Sequence, residues 1–304
     1  MRPVPHSAFL ATMRARRRHG GQGCALIPLR SRQHGFTLVE LVLVIALAGV
    51  VAVMISAVLS RPLQGFVDQS RRAELTDQAA TALNRMARDV RAAVPNSLRT
   101  ADPLQLHLVP ITAAGRYAAN QPAGPGGVLR DPPACTQSGP LCEIEISGPI
   151  EPNKSSDPHW LIIYNTQAPT YDMEPPADVQ HSGPVSPKNF KWENGKLDAE
   201  LQKFSFNHAS PQRRFFLANE VVGYRCTGVT AGGGGTLLRE TFDTLDLTKL
   251  PTTRAPLADG VSSCNFTYQP GTHARQSLVT LRLSLSKGGE TISLVQQVHI
   301  NNAP

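Results

Sequence analysis

From Phe36 to Leu59 the chain is apolar apart from Glu40, and from Leu41 to Leu59 it carries no charge. At about 1.5 Å per residue, such a run spans most of a bilayer's hydrocarbon core as a helix. The period then changes. Leu63, Phe66, Val67, Ser70, Leu75, Ala79, Leu83, Met86, Val90 and Val94 recur mainly at steps of three and four. Asp68, Arg71, Arg72, Glu74, Arg85, Arg88, Asp89 and Arg91 take the other faces. This spacing predicts an amphipathic helix that continues to about Val94 and is stopped by Pro95. Gly49 and Pro62 are its expected weak points, one without a side chain and the other without a backbone donor.

Beyond Pro95 the period falls to two. Leu104–Leu108 and Cys142–Ile146 alternate, and Trp160–Tyr164 is a continuous apolar run suited to a strand buried on both faces. Phe204–Phe206, Phe215–Leu217, Val221–Cys226 and Phe266–Tyr268 are shorter candidates. The clearest hairpin is C-terminal. Val279, Leu281, Leu283 and Leu285 alternate with polar residues, Lys287-Gly288-Gly289-Glu290 turns, and Ile292, Leu294, Val298 and Ile300 return. Residues 110–141 and 165–200, rich in Pro, Gly and polar side chains, are expected to be long surface loops or covering segments. The expected fold class is α+β: a long N-terminal helix packed on a mainly antiparallel β head over 96–304.

Glu40 is the anomaly in this pattern. A carboxylate costs about 2.5–3.5 kcal/mol at the centre of a membrane helix, and less toward the end. A plain anchor gives no reason to keep it. A removable secretory signal is the other ordinary reading, and Ala46-Leu47-Ala48 fits a small-x-small cleavage pattern. That site, however, lies inside the apolar run with eleven uncharged residues after it.

Gly35-Phe36-Thr37-Leu38-Val39-Glu40, placed between a basic leader and an apolar run, resembles the processing site of type IV prepilins and type II secretion pseudopilins. The resemblance implies that a membrane prepilin peptidase/methyltransferase cuts between Gly35 and Phe36 and N-methylates Phe36. It further implies that Glu40 neutralises the new terminal ammonium when subunits assemble. Opposite charges in a low-dielectric site attract strongly, and either one alone is penalised. Other major and minor pilins, the inner-membrane assembly platform and, before assembly, membrane lipid are the implied partners.

Further segments are similar to one branch of that family, the minor pilin-like biogenesis components of the mannose-sensitive haemagglutinin (MSHA) pilus. They are Ser60–Phe66, Arg71–Leu75, Arg85–Arg91 running into Pro95–Ser97, Gln212–Phe216 and Gln297–Pro304. The long leader and the Gly232–Gly235 run are departures from it. A translation start at Met13 would shorten the leader.

The whole chain has a formal charge of +7. Residues 1–35 hold seven arginines and no acid, so the remainder balances 23 basic against 23 acidic residues. The excess belongs to the leader, where the positive-inside rule places the N-terminus in the cytoplasm and the head outside. A neutral mature chain speaks against unspecific nucleic-acid binding. With Cys24 in the leader, Cys135, Cys142, Cys226 and Cys264 form an even set suited to an oxidising compartment. Of three possible pairings, Cys135–Cys142 and Cys226–Cys264 are favoured by closeness and by location. Zinc is disfavoured, since no C-x-x-C and no clustered histidine occurs.

No H-E-x-x-H or G-x-S-x-G occurs, and Gly232–Gly235 lacks the Lys-Ser/Thr of a phosphate loop, which leaves it as a flexible hairpin tip. His107, His159, His181, His208, His273 and His299 are widely spaced. Glu143 and Glu145 share a strand face that is expected to be solvated. Asn153-Lys154-Ser155 and Asn265-Phe266-Thr267 are glycosylation sequons in form only. The expectation is an assembly subunit, not an enzyme, with no catalytic residue, cofactor or metal. Its head size suggests a tip or initiation position, and a ligand-binding or adhesive head is the alternative.

Overall fold

The computed structural model describes residues 35–119, 121–122, 129–135, 142–151, 154–166, 181–201, 204–271 and 276–300. Residues 1–34 of the leader, with Cys24 and Met13, together with Asn153, His273 and residues 301–304, lie outside them. Contacts divide the chain into two units, residues 1–60 and 61–304. Helix α1 (Leu38–Arg91) runs as unbroken helical backbone through both Gly49 and Pro62, so neither expected weak point ends it. Each costs the helix locally, roughly 1 kcal/mol for glycine and 3 for proline. The turns on either side keep their own bonds.

In the second unit α1 is amphipathic. Leu75, Ala79, Leu83, Met86 and Val90 are buried as the period requires. Phe66 and Val67 depart from the expected stripe, at 73% and 46% exposed. Sheet cover begins only at Arg71 and Arg72, which meet the C-terminal hairpin tip at Gly288 and Glu290. The helix also ends three residues before Val94. Val94 N–H donates to Val109 O at 2.8 Å and Ile111 N–H to Ala92 O at 2.9 Å, so strand pairing captures the last turn ahead of Pro95.

In chain order the strands are β1 (Arg99–Asp102), β2 (Gln105–Leu108), β3 (Ala113–Arg116), β4 (Gln121–Pro122), β5 (Leu129–Arg130) and β6 (Ala134–Cys135). Next come β7 (Cys142–Glu145), β8 (Lys154–Ile162), β9 (His181–Gly183), β10 (Phe190–Glu193), β11 (Lys196–Ala199) and β12 (Phe204–Phe206). The last are β13 (Arg214–Ala218), β14 (Val221–Thr227), β15 (Gly235–Phe242), β16 (Thr253–Gln269), β17 (Ser277–Lys287) and β18 (Glu290–Ile300).

The main sheet has the order β1-β2-β14-β15-β16-β17-β18 and is antiparallel throughout. Its inner face meets α1. Met86 and Val90 share a core with Leu106, Tyr224, Leu281 and Leu283, all fully buried. Polar contacts fix the seam: Tyr224 Oη donates to Asp89 at 2.6 Å, and Arg239 Nε reaches the same carboxylate at 3.2 Å. The sheet curls where β16 extends past the start of β15. There Cys226 N–H donates to Leu104 O, Phe266 N–H donates to Pro103 O, and Cys226 is bonded to Cys264.

A second sheet, β3-β13-β8-β10-β11-β7, has its own core around Phe190, Trp192, Phe215 and Leu217. Cys135 is bonded to Cys142 beside it. The fold is therefore α+β, a helix on a mainly antiparallel head, with β12–β9 the one parallel pair among the described residues.

Two expected loops are partly strand. Residues 110–141 contain β3, and residues 165–200 contain the β10–β11 hairpin. The hairpin turns on Asn194 and Gly195, both with φ above zero (51° and 78°), the two-residue turn that Asn-Gly favours. The Gly232–Gly235 tip is also packed more closely than a flexible loop requires. Gly233 sits at φ +84°, and a Cβ there would lie 2.1 Å from Ser286 O.

Candidate functional site

The N-terminal segment is built by local chemistry. Gly35, Phe36 and Thr37 precede the helix, and Leu41 N–H makes the first helical bond to Thr37 O at 3.1 Å. Thr37 is therefore the N-cap, and its Oγ1 accepts from Glu40 N–H at 3.2 Å. Glu40 stands three residues past the cap, the spacing of a capping box, and its charge suits the positive end of the helix dipole. Sequence reasoning assigned Glu40 only to a neighbour's amine and missed this local role, although Thr-x-x-Glu states it. Among the described residues no cation lies within ion-pair distance of the Glu40 carboxylate.

Gly35 needs no small side chain for packing, because a Cβ there would meet nothing within 4 Å. Phe36 is 80% exposed. Leu38–Val58 is long and apolar enough to cross a membrane, and none of that window is buried within the protein. Leu43, Ile45, Leu47 and Val50 are all more than half exposed. Apolar surface of that length calls for lipid or other helices around it.

Among the described residues the histidines lie on separate elements. His107 on β2 is buried, and its pKa is lowered to about 4 by burial and by nearby Arg99 and Arg225. His159 on β8 is also held toward neutrality by burial, with Nδ1 2.7 Å from Asp157 O and its ring edge-on to Trp192. His181 opens β9, His299 is exposed on β18, and His208 faces Tyr164 at a ring distance of 6.4 Å. Glu143 and Glu145 lie on the exposed face of β7, where Lys196 Nζ approaches Glu143 at 3.3 Å. Glu240 is buried between Arg225 (3.1 Å) and Arg254 (2.8 Å), close ion pairs that lack hydrogen-bond alignment. Among the described residues no group of three or more His, Cys, Asp or Glu is placed to hold a metal.

One small cleft of about 130 Å³ is lined by Ile163, Tyr164, Asn165, Thr166, Pro184, Asn207 and His208. Tyr164 has φ +50°, and Asn165 is fixed by exchanging bonds with Asn96 and Pro95.

Residues 30–56 match the prokaryotic N-terminal methylation motif. The methylation motif thus spans Gly35, Phe36, Thr37, Glu40 and most of the exposed apolar helix. It supports a pilin-like or pseudopilin subunit, a structural component that a prepilin peptidase processes and that meets other pilins. Together with the apolar helix, it is consistent with anchoring in the inner membrane. No curated protein and no solved structure matches the chain.

Proposed function

We propose that this chain is a minor pilin of an MSHA-type type IV pilus, an MshO-like subunit acting in assembly or initiation. The observation that carries this reading is the methylation motif, with an exposed Gly35–Phe36 step just ahead of a capped apolar helix. A peptidase needs an accessible peptide bond, and among the described residues nothing packs against position 35. A requirement for glycine there fits recognition by an outside protein. Residues 1–35 are the cytoplasmic leader that cleavage removes, and Phe36 supplies the N-methylated ammonium. Glu40 supplies the counter-charge that makes docking into a neighbouring helix favourable. Residues 36–60 hold the subunit in the membrane and then bundle with other subunits. Residues 61–95 join them to the head over 96–304, which stands in the periplasm and later at the pilus tip.

The finer MSHA assignment rests only on the resemblance of the short segments 60–66, 71–75, 85–91, 95–97, 212–216 and 297–304 to that branch. Mass spectrometry of the native N-terminus tests the core of the proposal. A peptide beginning with N-methylated Phe36 is expected, and Gly35→Leu should leave a slower-migrating precursor in the membrane. A native chain still continuous across residues 30–40 would end the proposal.

A tip subunit whose head binds a ligand is the second reading, with the small Tyr164–His208 cleft as its candidate site. Deleting the gene separates them: an assembly role removes pili, and a receptor role leaves pili that no longer adhere. A pseudopilin would instead show lost secretion.

A further inference from the structure

Among the described residues, nothing pairs with the outer edge of the main sheet's last strand. β18 pairs with β17 over eleven consecutive residue pairs, Ser277↔Ile300 to Lys287↔Glu290, with no bulge. Among the described residues no backbone hydrogen bond joins β18 to anything else. The turn before it has two residues, Gly288 and Gly289, both with φ above zero (59° and 86°). A two-residue turn makes Lys287 and Glu290 a hydrogen-bonded pair. Strict alternation then turns the backbone groups of Thr291, Ser293, Val295, Gln297 and His299 away from β17.

Proteins normally blunt such a row with lysine, proline, a bulge or a short strand. The opposite edge, β1, follows that rule, with four residues, Arg99 and a register shift. The stretch of β16 that reaches past the β17–β18 turn follows it too, with Arg254 and Pro256. β18 carries none of these devices. From Thr291 to Ile300 it has no formally charged side chain and no proline. Val295 at its centre is 51% exposed, and Ile292 and Leu294, on the helix side, are only partly buried.

We propose that β18 receives a β-strand from a different pilin-like subunit of the same fibre, extending the main sheet by one strand. This rests on the function proposed above. An added strand satisfies the free donors and acceptors by main-chain pairing, and alternate side chains set its specificity. The lack of charge along 291–300 selects a strand that is itself uncharged there, with apolar residues beside Val295 on one face and beside Ile292 and Leu294 on the other. A second β18 in antiparallel pairing is the wrong occupant. α1 runs alongside β18 in the same direction, with Arg72 meeting Glu290 and Asn84 meeting Gln296. Antiparallel pairing of two β18 strands would reverse one α1, whereas subunits of one fibre share a polarity.

The test uses the full chain in cells that assemble it, with the photo-crosslinker benzoylphenylalanine at Ser293. Irradiation should join position 293 to an extended segment of another subunit that carries the methylation motif. Gln297→Pro removes an outward donor and none of the β17 bonds, and should lower the adduct by about tenfold while Cys226–Cys264 still forms. Should that variant not fold, the crosslinker moves to Gln297 and Ser293→Lys places a charge on the edge, with the same loss expected. An adduct to a second copy, to lipid alone or to nothing, in a subunit present in the fibre, overturns the proposal. The mature N-terminus is read in the same sample. A chain that begins at Phe36 and enters the fibre without adduct sinks the strand inference alone. An unprocessed chain absent from fibres sinks both.

Discussion

Glu40 N–H is bonded to Thr37 Oγ1 at 3.2 Å, so the acid that opens the apolar run also stands in a helix cap. Two roles converge on one residue, and they separate experimentally. Thr37→Ala removes the cap, which costs about 0.5–2 kcal/mol locally, and should speed amide exchange at Leu38–Leu41. It should leave incorporation into fibres largely intact. Glu40→Gln keeps much of the cap geometry but removes the charge, so it should permit cleavage and reduce incorporation. Normal piliation from Glu40→Gln would remove the charge-pairing account and leave the cap as the residue's sole role.

The Tyr224–Asp89 bond ties α1 to the main sheet in a part-buried seam. Tyr224→Phe should destabilise the head by about 1–3 kcal/mol, because a partly buried carboxylate loses a donor. Arg239 and Arg85, also near Asp89, limit the loss. Urea denaturation of the full chain in micelles measures it.

His107 makes the head acid-sensitive. Burial, reinforced by Arg99 and Arg225, lowers its pKa to about 4, against an unfolded value of 6.5. A lowered folded pKa contributes stability that is present above pH 6.5 and lost as pH falls toward 4. At about 1.4 kcal/mol per tenfold change in proton affinity, the loss approaches roughly 3 kcal/mol. His107→Gln should flatten stability between pH 6.5 and 4, read as the urea midpoint against pH. An equal slope in the variant would assign the acid loss elsewhere.

The two disulfides should differ in weight. Cys226–Cys264 closes a separation of 38 residues and Cys135–Cys142 one of 7. Chain-entropy reasoning gives about 4 kcal/mol for the first and about 2 for the second. Thermal unfolding of Cys226→Ser/Cys264→Ser should therefore show the larger fall in Tm.

Gly233 and Gly232 offer a matched pair. A Cβ at Gly233 would strike Ser286 O, and the residue sits at φ +84°, whereas Gly232 has open space around it. Gly233→Ala should cost well over 1 kcal/mol, and Gly232→Ala should be close to neutral. Equal midpoints in urea would show that the tip shifts freely.

Much of this architecture was legible where period and chemistry agree. Leu75, Leu83, Met86 and Val90 fall at helical steps and are buried, and Val279, Leu281, Leu283 and Leu285 alternate and are buried. The β10–β11 hairpin was missed, although Asn194-Gly195 lies between alternating Phe190, Trp192, Leu197 and Ala199, because the polar composition of the surrounding segment hid it. β15 was not legible, because Leu237 and Leu238 stand side by side and the charged Glu240 takes a buried position, so its sequence does not alternate.

The amino-acid order determined those properties that neighbouring residues settle among themselves: an apolar helix with its cap, the processing motif, and the turns at Gly288-Gly289 and Asn194-Gly195. Those need only a few bonds and a few residues of reach. Folding in three dimensions decided which strands lie side by side, that Cys226 meets Cys264 across the curl, that Asp89 meets Tyr224, and that β18 is left at an edge. Such pairings join residues tens to hundreds of positions apart, and their energies depend on every intervening strand, so no local period records them.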